Sequence, residues 1–374
     1  LFLWLTVFAV LTRGAMTLYH VPHLALGAEM TDNYHERTKI VAYRQFFGTF
    51  GALAASVIGL QYFFADWHGG RLTPSNYPAY AITLGVMMVV TIWYSALGTR
   101  KEIPHLAVPA PKEKRNVFVQ LGVELTEAAR NYSFRWLFFG VLIVFIMAGV
   151  NGALDLYMYQ YFWEMSGQEM VYLQVAQTGG LMLGVFLTAT LHKYTSKRFG
   201  VLLGTGAWAV FQVLPVVLRL LEWFPANGTF ALISILVLMK LAQGLLLQQA
   251  FISFGSMMAD VADEHEYEFG VRQEGIFFGA IAFSGKATSG FGNFLGGIGL
   301  DVINWPTGTA IKTAADVPPE TLVNLGLLYG PVVAAFSIVS IWCYSHYRLT
   351  RDRHNDILEA LRRRRSETRV LPES

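Results

Sequence analysis

The stretch MADVADEHEYEFGVRQEGIFFGAIAFSGKATSGFGNFLGGIGL, residues 258–300, joins two kinds of sequence that rarely meet in a soluble protein. Its first part, through Gly275, is an acidic hinge dense in charge. From Ile276 onward it is apolar, rich in glycine and long enough to cross a bilayer, and it carries one lysine, Lys286. An ammonium inside a membrane-length apolar helix costs about 2.5–3.5 kcal/mol on insertion scales unless protein or water solvates it. Lys286 is therefore a functional candidate by default, with Thr288 and Asn293 as polar lining beside it. The small residues Gly285, Ser289, Gly290 and Gly292 would let a facing helix approach closely.

The remaining sequence extends the apolar half of that stretch. Of 374 residues, 54% are hydrophobic and 14% charged, against about 25% charged in soluble domains. The composition implies an integral membrane protein. The apolar residues gather into runs of roughly 20, as a spanning helix requires, and not into the alternating ten-residue segments of a barrel. Nine spans are expected, at about 1–24, 41–65, 78–98, 136–161, 170–191, 200–221, 229–256, 275–299 and 322–346. A single cysteine, Cys343, excludes a disulfide framework and a cysteine-based metal site.

Lysine and arginine fall in alternate connections: Arg37, Lys39 and Arg44, then Arg71 alone, then a basic stretch from Arg100 to Arg135, then none over 162–169. Lys193, Lys197 and Arg198 follow, and the tail after residue 346 is strongly basic, with the run Arg362 to Arg365. The positive-inside rule then places the tail in the cytoplasm, and anionic lipid is its expected neighbour. The organisation expected is three helices in 1–98, a cytoplasmic linker with an amphipathic helix in 99–135, six helices in 136–346 and a tail in 347–374. Three spans before the linker and six after it suggest a six-plus-six transporter whose first three helices are lost by truncation.

Charged and amide residues inside the apolar runs mark the candidate pathway, because such groups face a bundle interior or a wet cavity. Arg13 lies midway along the first span and offers a planar fork of donors to a hydroxyl or an anion. Lys240 lies near mid-membrane, with Gln243 on the same face one turn on. Asp155, near the outer end of the fourth span, could balance Arg13 or Lys286 or be wetted at the outer mouth. Tyr157, Tyr161 and Trp163 beside it read first as an interfacial aromatic belt. Gln248 and Gln249 read as amides bonded between helices. The hinge acids Asp260, Asp263 and Glu266, with Arg272, face Asp32, Glu36 and Arg37 of the first loop as the two halves of a cytoplasmic latch. The consecutive hinge charges are not spaced to converge on a metal.

Two segments carry a family resemblance: VPHLALGAEMTDNYHERTKIVAYRQFFG (21–48) and MMADVADEHEYEFGVRQEGIFFGAIAFSGKATSG (257–290). With the KRFG loop at 197–200 and the YRL opening of the tail at Tyr347, the chain resembles the glycoside-pentoside-hexuronide:cation symporters, the melibiose permease group of the major facilitator superfamily. The resemblance implies that the first span is the fourth family helix and that Lys286, on the eleventh, lies between cation and sugar sites. It also implies that the main acidic cation ligands belong to helices outside this chain. Gly14 stands where the family has a sugar-binding carboxylate, and Gln45 where it has an arginine, with Arg44 as the substitute.

The function expected is symport of a sugar or glycoside with Na⁺ or H⁺, by a monomer in the cell membrane that needs no cofactor and binds no nucleic acid. The rival readings are a carrier of lysolipids, amphiphiles or anionic solutes and, further off, a membrane enzyme.

Overall fold

A computed structural model describes residues 2–29, 43, 47–48, 50–101, 122, 126, 128–270, 274–306, 311 and 313–370. Every regular element among them is helical, and two units emerge, Leu1–Lys114 and Arg115–Ser374. Of the elements named below, six are long and apolar enough to cross a membrane.

The first unit contains α1 (Phe2–Glu29), α2 (Phe50–Phe63) and α3 (Asn76–Thr99). The α2–α3 turn is held by Asn76, whose amide donates to the carbonyls of His68 and Gly70, and by the Tyr80 hydroxyl donating to Ala55 O at 3.2 Å. The faces of α1 and α3 expose large apolar side chains, among them Trp4, Phe8, Ile82, Val86 and Trp93. That surface suits lipid.

The second unit holds α4 (Tyr132–Phe162), α5 (Gly167–Tyr194), α6 (Lys197–Leu220), α7 (Phe230–Phe269), α8 (Glu274–Val302), α9 (Pro319–Ser345) and α10 (Arg351–Val370). Polar N-caps set their starts. The Asn131, Ser166, Ser196 and Thr229 side chains each accept from a backbone N–H three residues on, satisfying donors that a helix start leaves open.

Helix α7 is the axis of this unit, and glycine is what lets its neighbours close on it. A Cβ on Gly180 of α5 would collide with Leu241 O, and one on Gly244 of α7 would collide with Gln177 O. On the other side, a Cβ on Gly204 of α6 would meet Ala250 N at 2.6 Å. Each contact brings backbone against backbone, the small-residue packing that replaces hydrophobic driving force in lipid. Helix α8 docks on α4 in the same manner: Gly292 faces Ile146 O and Gly149, and Gly296 faces Ala153. Gly285 touches the Phe145 ring, whereas Gly290 has open space around it.

At 40 residues and about 1.5 Å per residue, α7 is about 60 Å long, twice the hydrocarbon thickness. The acidic hinge that begins at Met258 is therefore helix as far as Phe269. Alanine, methionine and glutamate sustain it, and Gly270 ends it in the left-handed conformation at φ 75°. The basic tail likewise forms α10, whose Ile357 and Leu361 are buried in one core with Ala128, Met257, Met258, Val261, Ala262 and Phe277. Most of the linker, where an amphipathic helix is expected, lies outside the described residues.

Candidate functional site

Within the second unit a polar network runs through the apolar bundle. The Tyr329 hydroxyl of α9 donates to Asp155 Oδ1 at 2.6 Å, and Asn151 Nδ2, one turn back on α4, donates to the same oxygen at 3.0 Å. Gln212 Nε2 of α6 donates to Asn151 Oδ1 at 2.6 Å and to Tyr329 O at 3.2 Å. Lys240 Nζ of α7 donates to Gln243 Oε1 at 3.0 Å, and Gln243 Nε2 to Trp208 O at 3.3 Å. The Tyr159 phenol lies near both Lys240 and Tyr329, and the ammonium stands 5.8 Å from the centre of its ring. Four helices are thus joined around one carboxylate and one ammonium.

The local backbone explains how the two phenols meet. Tyr159 lies in the π-turn Met158–Phe162 that ends α4, and Tyr329 in the π-turn Leu328–Val332 of α9. An extra residue per turn rotates a side chain away from its α-helical position, and such turns recur at functional sites. In α9 the cause is Pro331, which has no N–H to give and crowds the preceding turn.

The network has a closed end and an open one. Gln212 and Gln243 are 2% and 1% exposed and Tyr329 is 4% exposed, whereas Asn151, Asp155, Tyr159 and Lys240 are half-buried. A buried amide or phenol stripped of partners would be costly, so the closed end is a fixed scaffold. At the open end, the Asp155 carboxylate accepts hydrogen bonds and the Lys240 ammonium donates one.

Of the expected site residues, Asp155, Lys240 and Gln243 come together here. Within the second unit the cation beside Asp155 is Lys240, not Lys286. Arg13 lies on the exposed face of α1 in the first unit. Lys286 and Asn293 are exposed on α8, one heptad apart, on a side that differs from the glycines packed on α4. The Thr288 hydroxyl bonds Ser284 O, the carbonyl one turn before it. Tyr157 and Tyr161 pack edge-on against Trp305, each 5.2 Å between ring centres, so these aromatics join the end of α4 to the segment after α8. Gln249 donates to Gly184 O at 2.9 Å, a bond between α7 and α5.

The latch acids have partners inside the second unit. Lys197 Nζ meets both oxygens of Asp260, at 2.8 and 2.6 Å. His354 of α10 lies 3.6 Å from Asp260 and 3.1 Å from Asp263. Glu264 is buried between Asn131 Nδ2 at 3.4 Å and Arg353 at 3.7 Å. Glu266 is half-buried. In the tail run, Arg363 pairs with Glu359, and Arg364 stacks on the Tyr267 ring and donates to Tyr267 O. Asp32, Glu36, Arg37, Arg44 and Arg272 lie outside the described residues.

Long apolar helices with a charged network held between them are the architecture of a multi-pass membrane protein. Residues 1–351 match the MFS/sugar transport protein family, and the chain belongs to it. The chain is 23% identical over 350 residues to the uncharacterized symporter YjmB of Bacillus subtilis (strain 168), covering 91% of this chain and 69% of that protein. To the isoprimeverose transporter of Lactiplantibacillus pentosus it is 25% identical over 327 residues, 86% of this chain and 63% of that protein. To the uncharacterized symporter sll1374 of Synechocystis sp. it is 20% identical over 441 residues, 99% of this chain and 78% of that protein. The glycoside-pentoside-hexuronide:cation group to which the sequence points is consistent with these relatives. They are transporters, not enzymes.

Proposed function

We propose that the protein carries a glycoside or another sugar across the cell membrane together with Na⁺ or H⁺, by alternating access, with α10 on the cytoplasmic side. Two relatives described as symporters and one described as an isoprimeverose transporter support the substrate class and the coupling. The observation that carries the reading is the open end of the polar network, where Asp155 and Lys240 are half-buried above a fully bonded scaffold. A sugar hydroxyl both donates and accepts. One face of a pyranose can therefore give a proton to Asp155 and take one from Lys240, while the amides behind them hold both groups in place.

Coupling requires that the cation bind one conformation better than the other, since equal affinity for both shifts nothing. Lys286 is the group assigned to that step. It stands on the exposed side of α8, where its charge can replace that of the cation during part of the cycle.

Uptake into vesicles bearing the full-length gene product, across a panel of sugars with Na⁺ and H⁺ gradients varied separately, tests this reading. Asp155→Asn should remove sugar binding while the protein still folds, and an unchanged sugar Kd would take Asp155 out of the site. Lys286→Ala should abolish gradient-driven uptake and leave sugar exchange at equilibrium intact. Normal gradient-driven uptake by that variant would remove Lys286 from coupling.

A further inference from the structure

Towards the end of the second unit where α10 docks, a cavity of about 420 Å³ opens between the α5–α6 junction, the end of α9 and the start of α10. Its wall includes Lys197, Arg198, Arg348, Arg351 and His354, against a single carboxylate, Asp260. That carboxylate is already taken: Lys197 meets both its oxygens, and His354 stands at 3.6 Å. Asp352, in the first turn of α10, is exposed and is not part of the wall.

Two helix starts open into the same cavity. Ser196 caps α6 by accepting from Phe199 N at 3.1 Å, and Thr350 caps α10 by accepting from Arg353 N at 3.3 Å. Both caps line the cavity, and both helices run for twenty residues or more. Their positive dipole ends add to the field of the side-chain cations.

One wall residue lacks what the fold should give it. Tyr347 is 3% exposed, it lines the cavity, and its buried hydroxyl has no hydrogen-bond partner. An unsatisfied buried hydroxyl is costly, so its place at a cavity wall calls for an acceptor. Burial, reinforced by the Asp260 and Glu264 carboxylates, pushes the phenol above its ordinary value, which keeps it a donor throughout the working pH range.

We infer that this cavity binds a phosphate group, either the phosphodiester of an anionic lipid headgroup or free phosphate, on Arg351, Arg348, the two helix starts and the Tyr347 hydroxyl. An occupant would tie α10 to α6 and to the end of α9, so that binding and docking of the tail helix support each other. Arg198, which donates to Ser345 O at 2.6 Å, already makes one such tie.

The test is the unfolding midpoint of the purified full-length gene product, titrated with inorganic phosphate, with short-chain phosphatidylglycerol and with short-chain phosphatidylcholine. The wild type, Arg351→Gln and Tyr347→Phe are compared, and the midpoint without ligand reports whether each variant is folded. A saturable rise with phosphatidylglycerol but not with inorganic phosphate assigns the site to lipid, and a rise with inorganic phosphate assigns it to the free ion. In either case the apparent affinity should fall about tenfold in Arg351→Gln and several-fold in Tyr347→Phe. No saturable rise with either anion, an equal rise with phosphatidylcholine, or full affinity in both variants overturns the inference.

Discussion

Asp155 has two donors on one oxygen, and one of them, the Tyr329 hydroxyl at 2.6 Å, comes from a helix distant in sequence. A hydrogen bond to a charged group contributes about 1.5–3 kcal/mol. Tyr329→Phe should therefore weaken sugar binding roughly ten- to a hundredfold, measured as a Kd on the purified protein. If the unfolding midpoint falls while the Kd holds, Tyr329 braces the carboxylate without serving the site. Asp155, Lys240 and Gln243 were legible in the sequence because charge and amide stand out in an apolar run. Asn151 and Gln212 carry the same amide signal without a charge beside them to single them out, and Tyr159 and Tyr329 carry none. A tyrosine near a helix end reads as interfacial anchor, and the π-turns that rotate Tyr159 and Tyr329 inward leave little trace beyond Pro331. Spacing also could not tell whether Asp155 would meet Arg13, Lys286 or Lys240, since that depends on which helices adjoin.

Helix packing turns on a few glycines, and their contacts separate them into two kinds. Gly244 cannot take a methyl group without pushing Gln177 O away, whereas Gly290 has nothing within 4 Å. Gly244→Ala should destabilise by about 1–3 kcal/mol, the usual cost of overpacking. Gly290→Ala should be neutral or stabilise by about 0.4–1 kcal/mol through helix propensity and the unfolded chain. Unfolding midpoints of the two variants against the wild type check the contrast, and equal shifts would contradict the close approach of α5 and α7. The sequence suggested Gly290 as a contact along with Gly285 and Gly292, yet only the last two meet α4. Along one helix, residues five positions apart point to different sides, and composition does not say which side has a neighbour. The acidic hinge illustrates a related point. Charge ends a membrane span but not a helix, and α7 continues until Gly270 offers the left-handed residue that stops it.

Over the second unit as a whole, the tail is part of the fold. Helix α10 is amphipathic: Ile357 and Leu361 are buried at 4% and 5% exposure, while Arg353 and His354 reach Glu264, Glu268, Asp260 and Asp263 on α7. Burying two such aliphatic side chains contributes about 1.5–3 kcal/mol each. The ion pairs, partly exposed, contribute less and set the register of α10 on α7. The double substitution Ile357→Ser with Leu361→Ser should thus release α10 without unfolding the spanning helices, because no residue of the polar network touches it. Trypsin cleavage within Arg362 to Arg365 should then become several-fold faster, with the sugar Kd unchanged. The quadruple neutralisation Arg353→Gln, His354→Gln, Asp260→Asn, Asp263→Asn should have a smaller effect on the same cleavage rate. If instead neutralising the charges frees the tail and removing the apolar pair does not, docking is electrostatic, and it should weaken steeply as ionic strength rises.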